Sequence, residues 1–586
     1  MKTKKTKPNL DELASRLDAL YKRVIKNTGN IAMIRIKIFI SLGERDKRAD
    51  VVVGIGNTSE LAYELAKTKA IIRANSTKLN AEWLKLDIVT FEDVISMSEF
   101  TELANKTRKF YFKYGISFDH DYKLAVLPHE INGAALIKYN ETDKYTLKAN
   151  ERIDSLVGIS WEQLPYTTKS EFDFKRFDAR FRETRELPIN SKLVKPQAFI
   201  IFSTTSAFCD GAEIHDIDER EICNMRRKID ANDPDAILDV INKNAEYLAN
   251  SIKEDGEFFY GCFPTYNTVI KGYNAARHAL GILGIADAYL TTKNESLLPP
   301  LKRAREYMIT KMIHRVDERA YIVDWFNDEE IRLGAIGVAV IALCRCIEIF
   351  GKDEDGGKYA KIAQELGEGI LHMQNAETGR FFHVWKYPDL GEVDEFRIVY
   401  YSGEAAFALM RLYWLDNNEK WVNSVKKAFD FFLKNDYWEH CDHWLAYCTN
   451  ELTAVVDDDR YYEFGLKNAF HRLKFYETRI TAYHTFLELL GAVCVMIKNI
   501  KERGKEKILT NYDIDRLYRV IPVRTDMQMN SIMFPETAMY FKSPQTVLNG
   551  VFVRHNVFNV RNDHVAHNLS GFCLLLNEML RRNINA

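Results

Sequence analysis

Six stretches of the chain gather the residue types that move protons: 258–278, 321–332, 380–404, 440–451, 478–488 and 554–567. They make up less than a fifth of the sequence, yet they hold eight of its fourteen histidines (His278, His383, His440, His443, His484, His555, His564 and His567). Each lies just ahead of an apolar run of helical length, so polar groups collect at one end of a repeated unit, the geometry of a shared mouth. Two chemistries suit them. Paired carboxylates can cleave a glycosidic bond, one giving a proton from a raised pKa and the other acting as base or nucleophile. Glu404 in YYSGEAAFALM and Glu451 in CTNEL lead that set, with Asp324 and Asp563 behind them. Imidazoles can instead take a proton from carbon beside a carbonyl, and His278, His484 and His564 each begin an apolar run.

The same stretches can hold a sugar. Tyr260, Tyr266, Trp325, Tyr401 and Trp444 offer flat faces, and Asn267, Asn274, His383, His443 and Asn450 offer hydrogen bonds to hydroxyl groups. Arg277, Arg332, Arg397 and Arg561 add forked donors that fit a carboxylate or phosphate, so the expected ligand is an anionic carbohydrate. Each residue type also has a structural role that needs no ligand. A carboxylate can cap a helix, a histidine can be a satisfied buried hydrogen-bonder, and an arginine can pair with neighbouring Asp or Glu. His440, Cys441, Asp442, His443 and Cys448 have metal-ligand chemistry, but contiguous residues cannot converge on one ion, so no metal is expected. GIGNT at 54–58 reads as a tight strand-to-helix turn, lacking the third glycine and a well-spaced acidic residue of a dinucleotide site. No cofactor is expected.

The elements that must carry these groups divide the chain in two. Residues 34–42 alternate cleanly, Ile34, Ile36, Ile38, Ile40 and Leu42 on one face, as a half-buried strand does. Further strands are expected at 49–53, 84–90, 122–128 and 198–202, with a helix opening at Asn57 and Glu60 and another near 91–108. This is a mixed α/β domain, 31–215, behind a basic helical leader at 1–30, and the charged stretch 216–235 reads as a linker. From 236 to 586 the pattern becomes helical and of two kinds. Runs that are apolar nearly all round (271–290, 330–349, 402–415, 443–455, 480–500 and 565–580) alternate with striped ones (236–253, 297–312, 357–373, 419–434, 459–476 and 507–520). A helix apolar on every side must be buried on every side, and a striped one lies at a surface. Six of each, in strict alternation, describe an inner ring sheathed by an outer one.

That pattern, with aromatic-rich openings such as GEFFYGCFPTYN and GRFFHVW, resembles the (α/α)6 toroid, or six-hairpin fold, of many carbohydrate-active enzymes. The resemblance implies an active site where the inner helices begin. It also implies glycoside hydrolysis as the first reading and a histidine- or tyrosine-based sugar epimerase or isomerase as the second. A third is a non-catalytic glycan-binding or assembly factor in capsule or cell-wall polysaccharide synthesis.

Composition adds limits. A net charge of −2 with 28% charged residues gives no general attraction to nucleic acid. The longest apolar run, Leu333–Cys344, is shorter than a membrane span. Nine cysteines without framework spacing fit a reducing compartment, and the basic start MKTKKTK runs into a charged stretch instead of a signal-peptide core, so a cytoplasmic location is expected.

Overall fold

A computed structural model describes residues 8–29, 33–141, 168–182, 185, 197–220 and 226–585. The basic start at 1–7 and residues 221–225 of the charged stretch lie outside the described residues.

The helical half closes on itself. The inner helices are Ala275–Thr292, Leu333–Phe350, Tyr401–Asp416, His443–Val455, Thr485–Glu502 and Asn562–Asn585, and each packs on the next, the sixth returning to the first. Outside them lie Pro234–Asn250, Leu298–Lys311, Lys358–His372, Glu419–Lys434, Asp459–Phe470 and Ile514–Met529. The last outer helix starts seven residues later than the 507–520 pattern suggests, because Asp513 caps it through Arg516 N and Glu506–Asn511 form a 3-10 turn. Leu333–Phe350 is the one described helix long and apolar enough to cross a bilayer; 78% of it is buried, as the second inner helix of the ring. Its Gly334 and Gly337 let the third inner helix come close, since a Cβ on Gly337 would stand 2.7 Å from the backbone carbonyl carbon of Glu404. At the mouth, Gly261–Phe263 pairs with Asn559–Arg561 and ties the first hairpin to the last.

The amino-terminal region is an antiparallel sheet. Strands β1 (Ile36–Gly43), β2 (Asp50–Gly56), β3 (Trp83–Ser96), β4 (Gly115–Ser117), β5 (Ala125–Val126), β8 (Ala198–Asp210) and β9 (Glu213–Asp216) run in the order β2-β1-β3-β8-β4-β5, with β9 on β8. The remaining pair, β6 (Ile137–Glu141) and β7 (Thr168–Phe172), forms a separate hairpin. β3 is twice the expected length because β8 pairs with it along its whole run, so the next helix starts at Met97, capped by Ser96 and Glu99. The turn at 54–58 is capped by Thr58, not Asn57, and Gly54 and Gly56 sit against the backbone of Ala62 and Ala66, where no Cβ fits. The helix Leu10–Thr28, expected as part of a leader, buries Leu13, Leu17, Leu20 and Val24 in the sheet's core.

The sheet region grips the ring through the long connection between the last outer and last inner helices. Ala49 N donates to the Met539 carbonyl at 2.7 Å, Ser41 Oγ meets Tyr540 Oη at 2.8 Å, and Arg554 Nε donates to the Phe110 carbonyl at 2.7 Å. The stretch 216–235, expected as a solvated linker, contributes Arg226 and Arg227, both buried and paired to Asp526 and Glu536.

Candidate active site

The first turns of the inner helices place an acid/base cluster inside the ring. Asp442 caps the fourth inner helix by accepting from Trp444 N at 2.9 Å, and His443 follows it into the bore. From the fifth, Glu488 accepts from His567 Nδ1 of the sixth at 2.8 Å and from Tyr447 Oη at 3.3 Å. His443 Nε2 stands 3.9 Å from Glu488 Oε2, and the His443 and His567 rings are 5.3 Å apart at 76°. Both nitrogens of His443 are buried without a hydrogen-bond partner, as are Glu404 Oε2, Asp442 Oδ2, His484 Nε2 and His564 Nδ1. Stranded polar atoms are costly in a core, and these six lie on the first turns of the inner helices or just ahead of them.

The cluster spreads its proton affinities. Burial, and then the neighbouring His567, push the His443 imidazole well below its usual range, so it is a neutral base. Burial acts the same way on His567, but the Glu488 carboxylate outweighs it and raises His567 above the usual range. Burial raises Glu404 well above an ordinary carboxyl, with Asp442 adding to the effect, and raises Asp442 likewise. A weakly basic imidazole beside one whose proton is held more tightly, with two carboxyls whose burial favours the neutral form nearby, is the arrangement of a proton-transfer site.

Two glycines admit the carboxyls. A Cβ on Gly334 would overlap Glu404 Oε2 and the Tyr401 ring, and one on Gly403 would overlap Asp442 Oδ2. Gly403→Ala is therefore expected to cost about 1–3 kcal/mol by overpacking and to displace Asp442. Chemical denaturation would read it, and unchanged stability would mean that the carboxyl swings aside freely.

Other candidates are placed elsewhere. His278, fully buried, accepts from Tyr273 Oη at 2.7 Å and donates Nε2–H to the Ala304 carbonyl at 2.9 Å, so it braces the first hairpin. His383 accepts from Arg397 N at 3.0 Å and meets Ser402 Oγ at 3.1 Å, again a satisfied core group. Glu451 lies two turns deeper than the mouth, bound to Arg411 at 2.5 Å in a belt that runs on through Glu348, Arg345 and Asp287. Asn450 donates to the Ala492 carbonyl at that depth.

The four arginines expected to meet an anion are tied to carboxylates instead: Arg277 and Arg561 to Asp563 at 2.9 Å, and Arg332 and Arg397 to Glu330 at 2.7 Å. Tyr260 Oη joins Arg277, and the two guanidinium groups hold Asp563, despite burial, well below the usual carboxylate range. Asp324 bridges Asn274 and Arg332, each at 3.3 Å, while its Oδ1 stays unpartnered. His484 and His564 stack at 5.0 Å. Tyr401 and Trp444 flank Glu404 and Asp442 respectively, whereas Tyr266 and Trp325 are exposed on the rim and Asn267 accepts from Ser543 in a turn.

Glu488, His567 and Asp442, which lie in the six polar stretches but outside the leading acid/base sets, complete the cluster. His567 is one turn beyond His564, and Glu488 one turn beyond His484. His443, Glu488 and His567 also bring three donor atoms within 4.8 Å, a spacing that could span a metal ion, whereas His440, Cys441 and Cys448 do not join them. A surface hollow of about 440 Å³ is lined by the charged stretch, where Arg220 is engaged by Asp218 and by Asp526 of the last outer helix.

No family model matches the chain, and no curated protein sequence does. Solved structures are similar to it. Among them are a D-mannose isomerase (12% identity, 60% of this chain and 98% of that chain, TM-score 0.42), the cellobiose 2-epimerase of Bacillus thermoamylovorans B4167 (12%, 59% and 100%, 0.42) and a GH76 α-mannanase of Bacteroides thetaiotaomicron (7%, 60% and 100%, 0.43). At these values the likeness carries no chemistry over to this chain.

Proposed function

We propose that the ring catalyses proton transfer at carbon in an open-chain sugar, as an isomerase or epimerase does. The observation that carries this is His443, a buried neutral base with both nitrogens unpartnered, standing beside a His567 whose hold on a proton Glu488 strengthens. His443 would take the proton from carbon next to the carbonyl, and His567 would give one to the carbonyl oxygen, leaving an enediol. His443 then returns its proton to the former carbonyl carbon while the hydroxyl on the carbon first deprotonated gives its proton back to His567 and becomes the new carbonyl, which completes an aldose–ketose exchange. Rings 5.3 Å apart cannot sandwich a sugar, which needs about 7–8 Å for van der Waals contact on both sides, so transfer on one face is favoured over two-base epimerisation.

Incubation with aldoses in deuterated water tests it: label should enter the carbon next to the carbonyl. The expected rate is unchanged by EDTA, because Glu488 is already engaged as the carboxylate partner of an imidazole. A second reading, glycoside hydrolysis, is favoured by Glu404 and Asp442, two carboxyls raised by burial, the first also by the second, that each keep one oxygen unpartnered. Release of reducing ends without carbon-bound label would support it over the first, and tight binding with neither would leave a glycan-binding role.

A further inference from the structure

One turn mouthward of Glu488 and His567, the same two helices carry a second pair of imidazoles that the proton transfer leaves unused. His484 immediately precedes the fifth inner helix, and His564 is the third residue of the sixth. Four residues separate His484 from Glu488 and three separate His564 from His567, spacings that keep each couple on one helix face. The two rings stack at 5.0 Å and 22°, too close to admit anything between them, so the pair meets a ligand with its edges. Each has an unsatisfied nitrogen there: His484 Nε2 and His564 Nδ1 are buried without a hydrogen-bond partner, in residues 8% and 6% exposed. Burial, and then His567, bring His484 down to about 3; burial, and then Arg561, bring His564 well below the usual range, so both imidazoles are neutral. Arg277 and Arg561, whose charges reach His564, are themselves tied to Asp563 at 2.9 Å.

A neutral imidazole offers one N–H donor and one acceptor nitrogen, which suits a sugar hydroxyl, itself both donor and acceptor. The distance is also set. Three to four helical residues rise by about 4.5–6 Å, and an extended carbon chain advances by about 1.3 Å per bond. A group at the imidazole pair therefore lies about four bonds from the reacting end, at the fourth or fifth carbon of an aldose. We propose that His484 and His564 form a hydroxyl-reading subsite that takes the tail of an uncharged sugar whose carbonyl end lies at His443 and His567. This rests on the proton-transfer reading for which end of the sugar lies inward, while recognition of the hydroxyl stands apart from it. The subsite replaces the anionic carbohydrate first expected with an uncharged one, because Arg277, Arg332, Arg397 and Arg561 are each met by Asp or Glu.

The probes are D-glucose, D-mannose and D-galactose with their 4-deoxy and 5-deoxy analogues, titrated calorimetrically into the full chain, with solvent-deuterium incorporation followed in parallel. For whichever parent sugar binds, loss of one of these hydroxyls should weaken binding by the wild type about tenfold, the scale of one or two neutral hydrogen bonds. In His484→Phe and His564→Phe, which keep a flat ring, the parent sugar should bind about tenfold weaker. The deoxy penalty should then shrink toward onefold, since the subsite no longer reads the hydroxyl. His484→Gln, which keeps a donor and an acceptor, should recover part of the discrimination. Parent and deoxy sugars bound equally by the wild type would overturn the subsite whatever the variants do, and so would binding by none of the three parents. A deoxy penalty that survives both Phe substitutions, or tighter binding of the 6-phosphate than of its parent, would also overturn it. Solvent label entering no sugar while the hydroxyl penalty persists in binding would overturn only the proton-transfer reading.

Discussion

Replacing His443 with Ala is expected to slow incorporation of solvent deuterium into a sugar substrate by about 10²- to 10⁴-fold, the usual worth of a positioned general base. The side chain is 2% exposed and has no hydrogen-bond partner, so its removal strands no partner and the fold should survive. His567→Gln tests the acid separately. Because Glu488 raises the His567 imidazole above its ordinary value near 6.5, the wild-type rate should fall as pH rises through that raised value, where the imidazole gives up its proton. Gln keeps a hydrogen bond to Glu488 but has no proton to lose, so this alkaline limb should vanish along with most of the rate. A His443→Ala variant that exchanges label at the wild-type rate would remove the ring's acid/base pair from consideration.

The ring was legible because its signal is local. Apolar runs such as Leu333–Phe350 must be buried wherever they lie, and striped ones such as Glu419–Lys434 must face a surface, so twelve helices and their order follow from period alone. Depth along a helix was legible too, and went unused. Glu451 is eight residues beyond the start of its helix, about 12 Å at 1.5 Å per residue, which sets it below any mouth. His567 and Glu488 sit one turn into their helices, the depth at which side chains from neighbouring helices can meet. What could not be read was pairing between distant residues. Arg277 looks like an anion ligand until Asp563, 286 positions away, is brought beside it. Arg226 and Arg227 look like a solvated charge run until Asp526 and Glu536 bury them.

The docking of the sheet region has one central ion pair, and Glu536→Ala is expected to cost about 3–5 kcal/mol, the penalty for leaving a buried charge without its partner. Glu536 is fully buried and accepts from Arg227 N at 2.7 Å and Arg227 Nη2 at 2.8 Å; the guanidinium is stacked between Phe208 of β8 and Phe534, 5.5 Å from each ring. With the carboxylate gone, Arg227 retains Asp210 at 3.1 Å and His215 at 3.0 Å, one of which carries no fixed charge. Burial alone would raise the Glu536 carboxyl, but Arg227 outweighs it and holds the group below its ordinary value. A carboxyl lowered on folding adds stability that is present above its unfolded value, near 4.3, and is lost as pH falls through the folded one. Wild-type stability should therefore drop below about pH 4 by more than that of Glu536→Gln, which keeps the hydrogen bonds but cannot titrate. Urea denaturation at pH 7 and pH 3.5 measures both effects. If Glu536→Ala loses less than about 1 kcal/mol at pH 7, the sheet region is held by its apolar contacts with Met539 and Tyr540 and the ion pair is incidental.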